Sequence, residues 1–161
     1  MSVAGTLEAI AITSAEGEPL HTVDEVEAIA GQGLSGDRYA TQDGHFSDPL
    51  RRPDAVTLIA AEALEGLAAD GIELSHPESR RNLLTRGIEL NDLVGHRFRV
   101  GEIECQGIER ADPCSYLQGL TRPGVLRGLV DRGGLRAAIL TGGTLRPGDR
   151  VVDLGPADGP A

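Results

Sequence analysis

Apolar positions in this chain fall in short runs broken by Gly and Pro, a spacing that suits strands better than long helices. Thr6–Thr13 is apolar and β-branched at both ends and reads as a strand. Thr22–Ile29 fits two templates. Val23, Val26 and Ile29 keep helical spacing, while Thr22 and Val23 with the stop at Gly31 and Gly33 suit a strand, which is our reading. Ala55–Ile59 is a buried strand, and Ala61–Asp70 is the clear helix, with Leu64, Leu67 and Ala68 on one face and Gly71 as its stop. His76-Pro77-Glu78 starts a short helical turn, Asn82–Thr85 reads as a strand, and Leu90–Val94 makes one helical turn closed by Gly95. His96–Val100 and Ile103–Ile108 form a hairpin across Gly101-Glu102. Pro113–Gln118 and Val125–Val130 suit short helices. Leu135–Thr141 and Thr144–Leu145 suggest a second hairpin across Gly142-Gly143, and the turn Arg146-Pro147-Gly148-Asp149 leads into a last strand, Arg150–Leu154.

Many short strands with one clear helix predict a mostly β protein: a small antiparallel β-barrel with a few peripheral helices. No internal repeat or linker divides the chain, so residues 1–154 are expected to form one domain, followed by a flexible tail at 155–161. Residues 41–54 are polar, hold two prolines and Arg51-Arg52, and read as a loop.

Composition narrows the chemistry. With 161 residues, 40% apolar but only 2% aromatic and no Trp, the core must be built from Leu, Ile, Val and Ala. A net charge of -10 argues against nucleic acid and anionic membrane surfaces as partners. All 15 basic residues are Arg, and without Lys neither a pyridoxal phosphate Schiff base nor the lysine-bearing phosphate loop can form. Arg forks for fixed oxyanions remain. Two cysteines, no CxxC pair, no signal-like N-terminus and no membrane-length apolar run imply a cytoplasmic location with free thiols.

The densest chemistry lies in residues 80–117, RRNLLTRGIELNDLVGHRFRVGEIECQGIERADPCSYL. Asp112-Pro113 is a turn signal placing Cys114 before a short helix, where a thiolate is favoured and can ligate a soft metal or carry a persulfide; the plainer alternative is a small buried hydrophobe. Cys105 sits inside a predicted strand and reads as a core side chain. On a strand, Arg80 and Asn82 share one face, and Arg81 and Thr85 the other. Such a face can offer a guanidinium and an amide to a phosphate or a heterocycle edge, or be solvated and ion-paired. The Gly36-Asp37-Arg38 turn exposes backbone N–H groups to anions, without dinucleotide or ATPase spacing. The four histidines, His21, His45, His76 and His96, lack metal-ligand spacing.

Together the segments GLSGDRYA (33–40), DAVTLIAAEALEGL (54–67), the stretch 80–117 and RGGLRAAILTGGTLRPGDRV (132–151) resemble the MOSC family, named for the C-terminal domain of molybdenum cofactor sulfurase. The chain looks like a short stand-alone bacterial member. The resemblance implies a mostly antiparallel barrel that binds molybdenum cofactor (molybdopterin). It implies that Cys114 is the family cysteine, a molybdenum ligand in the reductase branch and a sulfur carrier in others. It also implies a cofactor pocket from Gly36, Asp37, Arg38, Arg80, Arg81, Asn82, Thr85 and Asp112. Tyr39 stands where many members have His, and Ala111 where some have another Cys or a polar residue. The sequence holds neither the reductase branch's N-terminal barrel nor the sulfurase's desulfurase domain, so a cysteine desulfurase or redox partner is expected. Three functions follow. They are an oxotransferase or reductase with Cys114 on molybdenum, a sulfur carrier with a persulfide on Cys114, and a non-catalytic anion-binding module.

Overall fold

A computed structural model describes residues 4–15, 18–37, 55–111 and 124–157. Eleven strands are present among them: β1 (Ala4–Ile12), β2 (His21–Val23), β3 (Val26–Ile29), β4 (Gly33–Leu34), β5 (Val56–Ala60), β6 (Leu83–Arg86), β7 (His96–Val100), β8 (Ile103–Arg110), β9 (Leu135–Ile139), β10 (Gly143–Leu145) and β11 (Arg150–Pro156). Helices α1 (Ala61–Ala69), α2 (His76–Ser79) and α3 (Val125–Gly128) and a 3₁₀ turn, Leu90–Leu93, accompany them. The expected loop at 41–54 and helix at Pro113–Gln118 lie outside the described residues.

Seven strands close a barrel in the order β11-β7-β8-β9-β5-β6-β1, sealed by β1 pairing back onto β11. Closure leaves no open edge in the barrel wall. Register shifts in β1, β8 and β11 supply the local bending that a small barrel needs. Among the described residues, all pairings between these strands but one are antiparallel. The exception, β5 with β6, is parallel, and the crossover between them carries α1 and α2 on the outside of the wall.

Alternation along the strands builds two cores. Inward residues Leu7, Ile10, Val56, Leu58, Leu83, Phe98, Val100, Ile103, Cys105, Leu135, Ala137 and Ile139 fill the barrel. The outward Ile59 and Leu84 pack with Ala63 and Leu67 of α1 and with Val125 and Leu129 at α3. Helix α1 continues directly from β5 and stops at Asp70 and Gly71, whose φ of 85° suits glycine. Leu67 is its buried anchor, while Ala68, expected on the same face, is exposed.

Three expectations change. Thr22–Ile29 is two strands: β2 extends β1, and β3 joins β4 and β10 in a separate three-stranded sheet. The second hairpin does not form, because β10 pairs with β3 instead of β9. Gly142 is there for close approach: a Cβ would lie 2.8 Å from the Ala28 carbonyl oxygen. Finally, β11 runs through Pro156, and the Ala157 N–H donates to the Gly95 carbonyl at 2.9 Å, so the ordered chain extends past residue 154.

Leu58 lies between Leu83 and Leu135 as their ladder partner and is fully buried. Leu58→Ala is expected to lower unfolding stability by about 2–5 kcal/mol in urea denaturation. Val130→Ala, at an exposed position, should change it by no more than about 0.5 kcal/mol.

Candidate functional site

The Arg80–Asn82 segment is shaped by the short helix before it. Ser75 and Glu78 form a complete capping box, and Pro77 stiffens the first turn of α2. The helix ends at Arg80, which takes the left-handed conformation with φ of 61°. Arg80 is therefore not a strand residue, and the expectation that it shares a strand face with Asn82 fails. Its side chain turns toward the β1–β2 connection and donates from a terminal nitrogen to the Glu18 carbonyl at 2.8 Å.

Arg81 follows, half-buried, and bridges distant parts of the chain. Its Nε donates to the Gly133 carbonyl at 2.9 Å and a terminal nitrogen to the Ala111 carbonyl at 3.0 Å. Ala111 is the last described residue before Asp112-Pro113-Cys114. The basic cluster and the chain leading into the cysteine segment thus meet through one side chain. Cys114, Asp112 and Arg38 themselves lie outside the described residues.

Asn82 does not present its amide to a surface. It is fully buried in the barrel wall. Its Oδ1 accepts from the backbone N–H and the hydroxyl of Thr57, both at 3.1 Å, and its Nδ2 donates to the Ala11 carbonyl at 3.1 Å. The amide joins β5, β6 and β1, which corrects the expected role in reading a heterocycle edge. Thr85 is also fully buried, on the inward face that it shares with Leu83, and its hydroxyl has no hydrogen-bond partner among the described residues. Arg86, at the end of the same cluster, is ion-paired with Glu8 at 2.9 Å and Glu65 at 2.6 Å on the outer surface.

The Gly36 turn is built as a left-handed corner, with φ of 84° at the glycine. Gly36 itself is exposed. Asp37 is fully buried and accepts from the Thr13 N–H at 3.1 Å, tying the turn to the end of β1. Asp37 thereby supports the turn from inside.

Sequence reasoning missed Thr13, Thr57, Gly133 and Gly134. Threonine and glycine positions in separate stretches of chain carry no local signal; only the tertiary fold brings them to Asp37, Asn82 and Arg81. Among the described residues no group of three potential metal-ligating side chains comes together. His96 instead pairs with Asp153 at 2.9 Å.

Burial displaces the proton affinities of Cys105 and His76. Cys105 is fully buried among aliphatic neighbours, and desolvation, with a smaller contribution from Glu104, pushes its thiol up to about 12. In Cys114→Ser, the remaining native thiol should react with Ellman's reagent only as fast as the protein unfolds. Immediate reaction would show that Cys105 is accessible.

His76 is held below its ordinary value, chiefly because burial disfavours the cation, although backbone contacts to Arg81 and Asn82 oppose the shift. Its Nε2 meets the Arg81 carbonyl at 2.9 Å, while Nδ1 is buried without a partner among the described residues. The neutral ring therefore donates from Nε2. The unfolded chain binds this proton more tightly than the folded one, so the contribution to stability is complete above pH 6.5, the ordinary histidine value, and is lost as pH falls below it. Melting temperatures from pH 7.5 to pH 5 should fall less steeply for His76→Gln, which keeps a donor for Arg81, than for the wild type.

The matched family model is the MOSC domain, over residues 41–152. Comparison with curated proteins returned no match. Among solved structures, the chain is similar to the YuaD protein from Bacillus subtilis, at a TM-score of 0.77 and 15% identity over 95% of this chain and 97% of that one. It is also similar to YiiM from Geobacillus stearothermophilus, at 0.68 and 16% over 93% of this chain and 75% of that one. YiiM from Escherichia coli gives 0.67 and 17% over 93% and 70%. At these identities the structural likeness speaks for the fold, and the family model spans most of the chain. With the closed barrel and its helical crossover, these matches establish that the chain belongs to the MOSC domain family.

Proposed function

We propose that this chain binds molybdenum cofactor, with the Cys114 thiolate as the molybdenum ligand in an oxotransferase- or reductase-type reaction. The family is associated with that cofactor. The observation that carries the reading is the hydrogen bond from Arg81 to Ala111, which joins the basic cluster to the chain entering Asp112-Pro113-Cys114.

The donor set suits such a group. A thiolate is a soft ligand for the metal, and guanidinium forks suit a phosphate monoester. Arg80 is half-buried, leaves the chain from a left-handed cap and is steadied by Glu18, so its guanidinium is partly fixed before any ligand arrives. Arg38 follows the Gly36 corner in sequence and supplies a second fork, and Asp112 adds an acceptor next to the cysteine segment. Asn82 and Thr85 are left out of the ligand set, because the first is spent on the barrel wall and the second faces the core. When bound, the cofactor would supply the redox chemistry and oxygen-atom transfer at the metal. The chain's part is to hold the phosphate arm, present a thiolate and exclude bulk water. With no Lys in the chain, sulfur cannot be drawn from free cysteine by pyridoxal chemistry, so any sulfur on Cys114 would come from a partner.

The test is metal content after purification from a host that makes the cofactor. Wild type should carry molybdenum in near-stoichiometric amount, Cys114→Ser should lose it, and Arg80→Gln should retain it more weakly. Folded wild type without molybdenum would reject the reading. A mass gain of one sulfur on Cys114 in its place would assign the chain to sulfur carriage.

A further inference from the structure

Helix α2 is tied to the barrel through a buried imidazole. His76 is 7% exposed, and its Nε2 donates to the Arg81 carbonyl at 2.9 Å, across the left-handed residue Arg80. Ser79, also buried, completes the junction. Its hydroxyl donates to the His76 carbonyl at 2.6 Å and accepts from the Arg81 N–H at 3.3 Å. Inside the helix, the Ser79 N–H donates to the Ser75 carbonyl and the Arg80 N–H to the Pro77 carbonyl, both at 3.1 Å. A helix of four residues does not hold itself in water, so α2 depends on its links to the rest of the chain.

The other ring nitrogen, Nδ1, is buried without a partner among the described residues. Protonation adds a donor at that nitrogen and a charge where burial disfavours one. The charged groups on the surrounding elements do not relieve it. Glu78 of α2 accepts from the Ser75 N–H. Glu8 of β1, the strand packed against α2, pairs with Arg86 of β6. Asp37 accepts from the Thr13 N–H beyond the end of β1. Glu18 and Glu73 lie on the adjoining connections, and Arg80 and Arg81 are themselves cations. None of these carboxylates bonds Nδ1.

We propose that His76 is an acid-released latch, whose protonation frees α2 and the Arg80 cap from the start of β6 while the barrel ladders stay closed. The charged ring leaves its buried place, and the bond to the Arg81 carbonyl breaks with it. Arg81 marks the hinge, because its guanidinium is bonded to the Gly133 and Ala111 carbonyls. Asn82 stays with the wall, where its N–H donates to the Thr57 carbonyl at 3.0 Å. Arg80, which reaches the Glu18 carbonyl from the left-handed cap, loses its set direction when α2 opens. The released ring has the ordinary value of 6.5 and the latched ring lies below it, so opening is favoured as pH falls below 6.5. Between pH 7.5 and pH 5.5 this linkage increases opening by up to about tenfold.

The experiment is amide hydrogen exchange of the whole chain by NMR at pH 7.5 and pH 5.5, with each rate divided by that of an unstructured peptide at the same pH. The Ser79 and Arg80 amides should lose protection toward that tenfold limit, while the Asn82 amide and the barrel ladders keep theirs. In His76→Gln, which retains a donor for Arg81, Ser79 and Arg80 should show no such pH dependence. Unchanged protection at Ser79 and Arg80 in the wild type, or none at pH 7.5, overturns the proposal. A parallel loss in the ladders overturns it in favour of general unfolding, and an equal loss in His76→Gln assigns the effect to another group. Should His76→Gln fail to fold, the ring carbon resonances of His76 in the wild type decide. The loss of protection should follow their titration, and a loss that does not follow it overturns the latch.

Discussion

The side-chain amide of Asn82, buried between three strands, holds the barrel wall where its pairing changes direction. Thr57 gives it two donors and Ala11 an acceptor, while the Asn82 backbone continues both ladders, to Thr57 and to Ala11. A buried donor or acceptor left without its partner costs about 1–3 kcal/mol, so loss of this one side chain would strand groups on both neighbouring strands. It sits where the parallel β5–β6 pair meets the antiparallel β6–β1 pair. Everything attached to the start of β6 inherits its position from that junction.

The parallel pair imposes the rest of the local architecture. Parallel strands need a crossover, and α1 and α2 provide it on the outer wall. Outward Ile59 and Leu84 are covered by α1 of this crossover together with α3, which is why a small barrel has a second apolar cluster beside the one inside it. Because α2 ends in a left-handed residue right before β6, Arg80 and Arg81 leave the chain in different directions. One reaches Glu18, the other Ala111 and Gly133. Two adjacent arginines thus serve two different ends of the fold. The usual reading of an Arg-Arg pair as a single positive patch does not describe them.

The barrel interior, by contrast, carries little chemistry. Cys105 lies among Phe98, Ile139 and their neighbours with its thiol proton held firmly. The Thr85 hydroxyl, without a partner among the described residues, is the one inward polar side chain in β6, and its burial keeps it from the surface.

Much of the architecture was legible in order along the chain. The strands at Thr6–Thr13, Ala55–Ile59 and Ile103–Ile108, the α1 helix and the β7–β8 hairpin are each fixed by residues within a few positions, through alternation, capping and turn chemistry. The MOSC family itself was legible from ordered Arg-Asn, Leu-Val-Gly and Pro-Cys elements, and the family model agrees. Partnering between remote strands was not. Gly142-Gly143 looks like a hairpin turn, yet it is a close approach to β3; Asn82 looks like a ligand, yet it closes the wall. A sequence determines which residues alternate, which break a strand and which functional groups exist, because those follow from neighbours a few bonds away. Which group faces which is decided only when β1, β5 and β6 meet, because a hydrogen bond between residues 57 and 82, or 11 and 82, has no local trace in the chain.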